Sequence, residues 1–292
     1  MVDIVIYLLL GIGIGVLSGF FGIGGGFVLT PVLLLLNVSP VLAIATSLMY
    51  TMGTSFSGVI AHFRLQNIQW KPALIIGISG VLATQIAYPF VLFLERFHVA
   101  DTIIPVGYLL LIIYFAYSLL LKKEKHTVNQ ISIGKEFTLY KLIFIGFFAG
   151  FISTTLGVGG GFIIVPLLIG VLSYRSRYAV GTSLLGVLMI VTAGFLTYAA
   201  STPIDYRISG TLIIGALIGG QIGAIFTSTF SDAKIRKYLG TLYSITGISL
   251  LLKLLNLAEI GLLLLLAYSL SLVVHFTIQN FKQRQQTKLA SK

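Results

Sequence analysis

The chain has 292 residues, of which 57% are hydrophobic and only 9% charged, where soluble domains carry about 25% charged residues. So much apolar surface exceeds what a water-soluble core absorbs and must be buried against lipid. The net charge of +11 does not point to nucleic acid, because no basic face interleaves with aromatics on a polar segment. The absence of cysteine excludes disulfides, thiol catalysis and Cys-ligated metals.

Taken in chain order, apolar runs predict helices at 4–18, 27–36, 40–61, 72–94, 102–121, 140–153, 161–172, 178–200, 208–230, 236–255 and 260–280. Seven of these are long enough to cross a membrane, at about 1.5 Å per residue and about 30 Å of hydrocarbon. The other four form two short pairs, 4–18 with 27–36 and 140–153 with 161–172, each separated by a glycine-rich break. The first run lacks a basic flank and continues into glycines, so no cleavable signal peptide is expected. The eight acids, Asp3, Glu95, Asp101, Glu124, Glu136, Asp205, Asp232 and Glu259, all fall between or near the ends of apolar runs. Most bases cluster in the same connecting segments.

Laid on itself, the sequence repeats. A shift of about 135 residues aligns Gly11, Gly15 and Ser18 with Gly146, Gly150 and Ser153. It also aligns Gly22, Gly24, Gly25, Gly26, Phe27 and Pro31 with Gly157, Gly159, Gly160, Gly161, Phe162 and Pro166. One further residue of shift pairs Thr46-Ser47 with Thr182-Ser183, Trp70-Lys71 with Tyr206-Arg207, and Gln85 with Gln221. The reading is a first membrane repeat at 1–121, a polar cytoplasmic linker at 122–135 and a second repeat at 136–255. A C-terminal span with a basic tail follows at 256–292.

Loop charge sets the topology. The segments near 62–71, 122–141, 173–178, 231–237 and 281–292 are basic, and basic loops face the cytoplasm. Two successive basic loops flank 140–172, so that segment is expected to enter and leave on one side as a helical hairpin. By symmetry 4–36 is a hairpin from the opposite face. Each half then has three crossings and one hairpin, and an odd number of crossings inverts the halves. The expected fold is an all-α polytopic integral membrane protein of the cell membrane. It has two inverted repeats, each a glycine-broken hairpin plus three spans, and an extra C-terminal helix.

The glycine runs carry the functional reading. Gly24-Gly25-Gly26 and Gly159-Gly160-Gly161 break a helix. Backbone freed at membrane depth must be satisfied by protein or water. Pro31 and Pro166 fit near the first turn of a new helix, so half-helices are expected to start at Phe27 and Phe162. Their amide ends favour anions, and paired broken helices build transporter sites at the midplane. The spacings Gly11-x-x-x-Gly15-x-x-x-Gly19 and Gly146-x-x-x-Gly150 read instead as close helix packing. A nucleotide loop does not fit, because no Lys-Ser/Thr follows the glycines.

Thr46, Ser47, Thr182 and Ser183 either donate hydroxyls to an anion or bond back to the preceding turn. Gln85 and Gln221, mid-span, either contact the substrate or cross-link helices. His62 and Arg64 close one span, where Arg64 fits an interfacial anchor, as do Trp70 and Tyr206. The basic tail from Lys282 reads as a solvated positive-inside segment, with contact to anionic lipid a lesser option. No acid lies deep in a span, so a carboxylate proton relay is not expected, whereas Na⁺ coupling through break carbonyls stays open. No cofactor or metal site is expected.

On these residues the chain resembles the sulfite exporter TauE/SafE family, also called the 4-toluene sulfonate uptake permease family. The resemblance rests on the two Gly-x-Gly-Gly-Gly-Phe-x-x-x-Pro runs, the two Thr-Ser pairs and the aromatic-basic pairs, over about residues 5–252. It implies transport of small sulfur-containing anions, such as sulfite or aryl sulfonates, often as export. Residue chemistry alone supports only a neutral, donor-rich pocket for a small anion. A passive anion channel, and a membrane enzyme or assembly factor, remain the competing readings. The four histidines, His62, His98, His126 and His275, are too scattered to suggest an enzyme centre. The sequence leaves homo-oligomerisation open.

Overall fold

The computed structural model describes residues 2–121, 135–200 and 206–290. Among them are eleven helices and no strand. They are α1 (Val2–Phe21), α2 (Gly26–Leu35), α3 (Pro40–Arg64), α4 (Trp70–Arg96), α5 (Ala100–Leu121) and α6 (Lys135–Leu156). Then come α7 (Gly161–Leu172), α8 (Ser176–Ala199), α9 (Tyr206–Thr227), α10 (Asp232–Leu254) and α11 (Ala258–Ala290). All eleven expected helices are present. The expected linker, 122–135, lies outside the described residues but for its last.

The first arms of the two hairpins run longer than expected. α1 continues to Phe21 and α6 to Leu156, so each break is only a few residues long. Six helices are long and apolar enough to cross a membrane: α4, α5, α6, α8, α9 and α11. The set differs from the sequence reading at three places. α6, expected as a short arm, qualifies at 22 residues. α3 and α10, expected as spans, are long at 25 and 23 residues but too polar to be among the six. α3 carries Thr46, Ser47, Thr51, Thr54, Ser55, Ser57 and His62, all buried. It is an inner helix whose polar groups meet protein, so its hydropathy is low where its neighbours' is high. α11 reaches Ala290, so the basic tail from Lys282 continues the helix rather than leaving it.

Glycine decides how closely the helices approach. α1 lies along α9: a Cβ on Gly11 would stand 2.5 Å from the Leu212 carbonyl oxygen, and one on Gly15 3.0 Å from Ala216 Cα. α6 lies along α4 in the matching way, with Gly146 against Ile76 and Gly150 against Gly80. The first helix of each half therefore leans on the other half. Small residues allow this contact, which in a membrane rests on close van der Waals packing. Two pairs of corresponding helices run in opposite directions. Gly58 and Leu48 of α3 meet Leu184 and Gly194 of α8, respectively. Leu120 and Ile112 of α5 meet Gly240 and Gly247 of α10.

Several helices end on a left-handed residue that is not glycine: Asn37, Gln66, His98, Ser173 and Asn256. After α2 the amides of Asn37 and Val38 return to the carbonyls of Leu34 and Leu33, closing the carbonyl end that lipid would leave unpaired. The same pattern follows α3, α4 and α10.

Candidate functional site

Two proline spacings explain the local chemistry of the breaks. Pro31 is the sixth residue of α2 and Pro166 the sixth of α7, so neither sits in the first turn as the sequence suggested. In the second turn a proline withholds the N–H that would bond the carbonyl four residues earlier. The deprived carbonyls are those of Phe27 and Phe162. Each is taken by a tyrosine hydroxyl: Tyr108 donates to Phe27 at 2.6 Å and Tyr243 to Phe162 at 2.7 Å. Both tyrosines are fully buried. A buried carbonyl left without a donor costs about 1–3 kcal/mol, so the tyrosines are what make the prolines tolerable.

The half-helices begin at Gly26 and Gly161, one residue earlier than expected. Both breaks need glycine for backbone reasons. Gly22 and Gly24 in the first, and Gly157, Gly159 and Gly160 in the second, have positive φ. The breaks also touch. A Cβ on Gly24 would stand 3.6 Å from Gly159 Cα, and one on Gly161 would strike the Gly22 carbonyl and Ile23. Between them the Phe27 and Phe162 rings lie 5.6 Å apart, with Tyr243 4.6 Å from Phe27 and Tyr108 stacked on Phe162 at 6.0 Å. The two amide ends thus abut inside the bundle, in contact with each other.

Hydroxyls from one half hold the break of the other. Ser183 donates to the Gly22 carbonyl at 2.7 Å, and Thr30 donates to the Gly157 carbonyl at 2.8 Å. Within the first half, Gly25 and Gly26 donate their amides to Thr54 Oγ1 at 3.1 Å and Thr51 Oγ1 at 2.7 Å. His62 locks the end of α1. Its Nε2 donates to the Gly19 carbonyl at 3.1 Å, and its Nδ1 accepts from Asn67 Nδ2 at 3.2 Å.

Of the residues singled out in the sequence, the structure brings together Gly24, Gly25, Gly26, Gly159, Gly160 and Gly161, with Ser183 bonded beside them. Ser183 also bonds back to the Val180 carbonyl at 2.9 Å, so its hydroxyl is shared between the preceding turn and the first break. Ser47 is fully buried and its hydroxyl has no partner among the described residues. Thr46, the preceding residue, is also buried. Thr182 stands apart from the breaks: its Oγ1 accepts the Gln69 amide at 3.1 Å, at the start of α4. Gln85 and Gln221 also stand apart. Both face outward, and Gln85 reaches only the neighbouring Thr84. Among the described residues, neither lines the breaks nor cross-links helices. The reason is helical phase: α4 turns Ala73, Ile76, Gly77, Gly80, Ala83, Thr84 and Ala87 inward, which leaves residue 85 off that stripe. Arg64 and Trp70 face outward near the ends of α3 and α4, as anchors would.

Sequence reasoning missed Thr51, Thr54, Tyr108 and Tyr243. The signals were present. Ser47, Thr51 and Thr54 share one helix face at i, i+4 and i+7. Tyr108 and Tyr243 align under the shift that aligns Phe27 with Phe162.

A bundle with six helices long and apolar enough to cross a membrane, and two glycine-broken helix pairs meeting in its interior, is that of a multi-pass membrane protein. Comparison with known proteins makes this specific. The profile of the family described as Sulfite exporter TauE/SafE matches residues 7–250, and the chain belongs to that family. It is 32% identical over 243 residues to the probable membrane transporter protein YdhB of Bacillus subtilis, covering 82% of this chain and 96% of the relative. It is 25% identical over 249 residues to YjnA of the same organism, covering 84% and 98%. To MJ0441 of Methanocaldococcus jannaschii it is 24% identical over 260 residues, covering 84% and 94%. Each of these is described as a probable membrane transporter. No solved structure matches. The protein is a membrane transporter of the TauE/SafE family, and all of α11 lies beyond the matched region.

Proposed function

We propose that this transporter carries a small anion, sulfite or an organosulfonate, by alternating access around the two helix breaks, with the repeats inverted about them. The observation that carries the reading is the meeting of the α2 and α7 amide ends inside the bundle. Such ends hold partial positive charge and aim N–H groups at a guest. A guest lined by amides and hydroxyls, with no acid nearby, is best an anion. The opposite running of α3 and α8, and of α5 and α10, supports inversion. The substrate class is the one the family's description names, sulfite.

In the present conformation the breaks are in contact, so the guest enters only when the halves separate there. Alternating access then means parting the α2 and α7 ends toward one side at a time. The hydroxyl bonds across the halves, Ser183 to Gly22 and Thr30 to Gly157, are the contacts that would open. The test is uptake of labelled sulfite into liposomes holding the purified protein. Saturable uptake, lost on Gly25→Trp because a side chain there meets the Tyr50 ring, supports the proposal. Uptake no greater than in empty liposomes, for sulfite and for alkyl and aryl sulfonates, would sink it.

A further inference from the structure

The two half-helix ends share a backbone path but not a lining. Under the 136-residue register that pairs Ile44 with Val180, the residues facing the first break, Tyr50, Thr51 and Thr54, become Gly186, Val187 and Ile190. Consequently the first amide end is closed by its own helix neighbours. Gly25 and Gly26 donate to Thr54 and Thr51, Phe27 and Val28 bond back to the Gly24 and Gly25 carbonyls, and the Tyr50 ring covers Gly25. At the second end Val187 and Ile190 have no acceptor to offer. The Gly161 amide turns back to the Gly159 carbonyl at 2.8 Å, and the Gly160 and Phe162 amides find no partner among the described residues. With Gly186 in place of a tyrosine, Gly160 is the least crowded of the break glycines: nothing comes nearer than 3.3 Å to where its Cβ would stand.

A second observation points to the same place. Ser153 of α6 is fully buried, its hydroxyl has no partner among the described residues, and its Cβ lies 3.4 Å from that vacant Cβ position on Gly160. Its counterpart Ser18 is also buried and unpartnered among the described residues, but there the Tyr50 ring and Thr54 take the space beside Gly25. A buried hydroxyl without a partner is costly unless something else supplies one.

We propose that the anion is held by the α7 end alone, through the Gly160 and Phe162 amides and the Ser153 hydroxyl, while the α2 end is a self-capped structural counterpart. This rests on the anion reading above and narrows it to one seat. The ligand class is a small tetrahedral or pyramidal oxyanion whose oxygens accept several N–H and O–H donors at once.

The test is thermal stabilisation of the detergent-purified protein by sulfite and by methanesulfonate. Ile190→Thr transplants the Thr54 cap, which takes the Gly25 amide in the first half, onto its counterpart Gly160, so it competes for that amide. Ser153→Ala removes the hydroxyl. The expected result is that each weakens the apparent anion affinity at least tenfold, while Ser18→Ala, the same change in the first half, stays within twofold. Ile190→Thr and Ser153→Ala both within twofold of the wild type would overturn the single-seat proposal and leave anion binding standing. Wild-type protein stabilised by neither anion would instead bring down the anion reading itself.

Discussion

The break between α1 and α2 and the break between α6 and α7 are near-copies in backbone and in their distant braces, and different in what faces their amides. Each has a proline that frees a phenylalanine carbonyl and a tyrosine that takes it. Each has its first glycine pressed on the opposite half, Gly22 on Val180 and Gly157 on Ile44. Only the first has threonines on its amides. The comparison teaches that the shared features set geometry, which both halves need. The differing ones, on the single-seat proposal, set which end stays available to a guest.

The largest effects should come from the shared geometry. Gly22→Val and Gly157→Val each force a branched side chain into a left-handed backbone, at about 1–2 kcal/mol, and against the other half, at about 1–3 kcal/mol more. Both variants should melt far below the wild type in detergent or fail to yield folded protein; a variant that melts normally would show that the halves do not press there.

Next come the tyrosine braces. Tyr108→Phe and Tyr243→Phe each strand a buried carbonyl and should cost about 1–3 kcal/mol apiece. Their losses should be similar, and the double variant should lose about the sum, because the two bonds serve different carbonyls. Unequal losses in thermal melts would mean that the braces are not counterparts.

The lining difference should appear as one bond. Thr51→Val leaves the Gly26 amide unpaired and should cost about 1–3 kcal/mol. A melt unchanged by Thr51→Val would argue that the α2 end is no better capped than the α7 end.

The smallest effects belong to the outward faces. Gln85→Leu and Gln221→Leu should shift stability by no more than about 0.5 kcal/mol, as surface changes do, and leave sulfite uptake intact. A large loss of uptake in either would return these amides to the transport path.

Much of this was legible in the sequence because glycine and proline act locally. Gly24–Gly26 and Gly159–Gly161 announce interruptions whatever surrounds them, and the repeat shows that the interruptions are paired. The helix boundaries erred where glycine was treated as a stop before it had to be: α1 runs through Gly19 because a close partner, α9, replaces the lost side-chain packing. Facing was the harder matter. α4 and α9 are apolar on both sides, so periodicity carries little phase, and Gln85 and Gln221 could not be assigned inward or outward from the pattern. Ser47 and Thr182 look alike in the sequence, yet one lies buried with no partner among the described residues and the other accepts the Gln69 amide at the start of α4. Which hydroxyl reaches which backbone group depends on how the halves interlock, and that is set by long-range packing.

The central claim is that the breaks form a carrier rather than a pore, and counterflow tests it most directly. Liposomes holding the purified protein and loaded with unlabelled sulfite would be diluted into a trace of labelled sulfite. A carrier that alternates about the breaks accumulates label transiently above equilibrium, and Gly25→Trp abolishes the overshoot. Label that only relaxes toward equilibrium, at a rate indifferent to internal sulfite, would contradict the account and leave a passive pathway in its place.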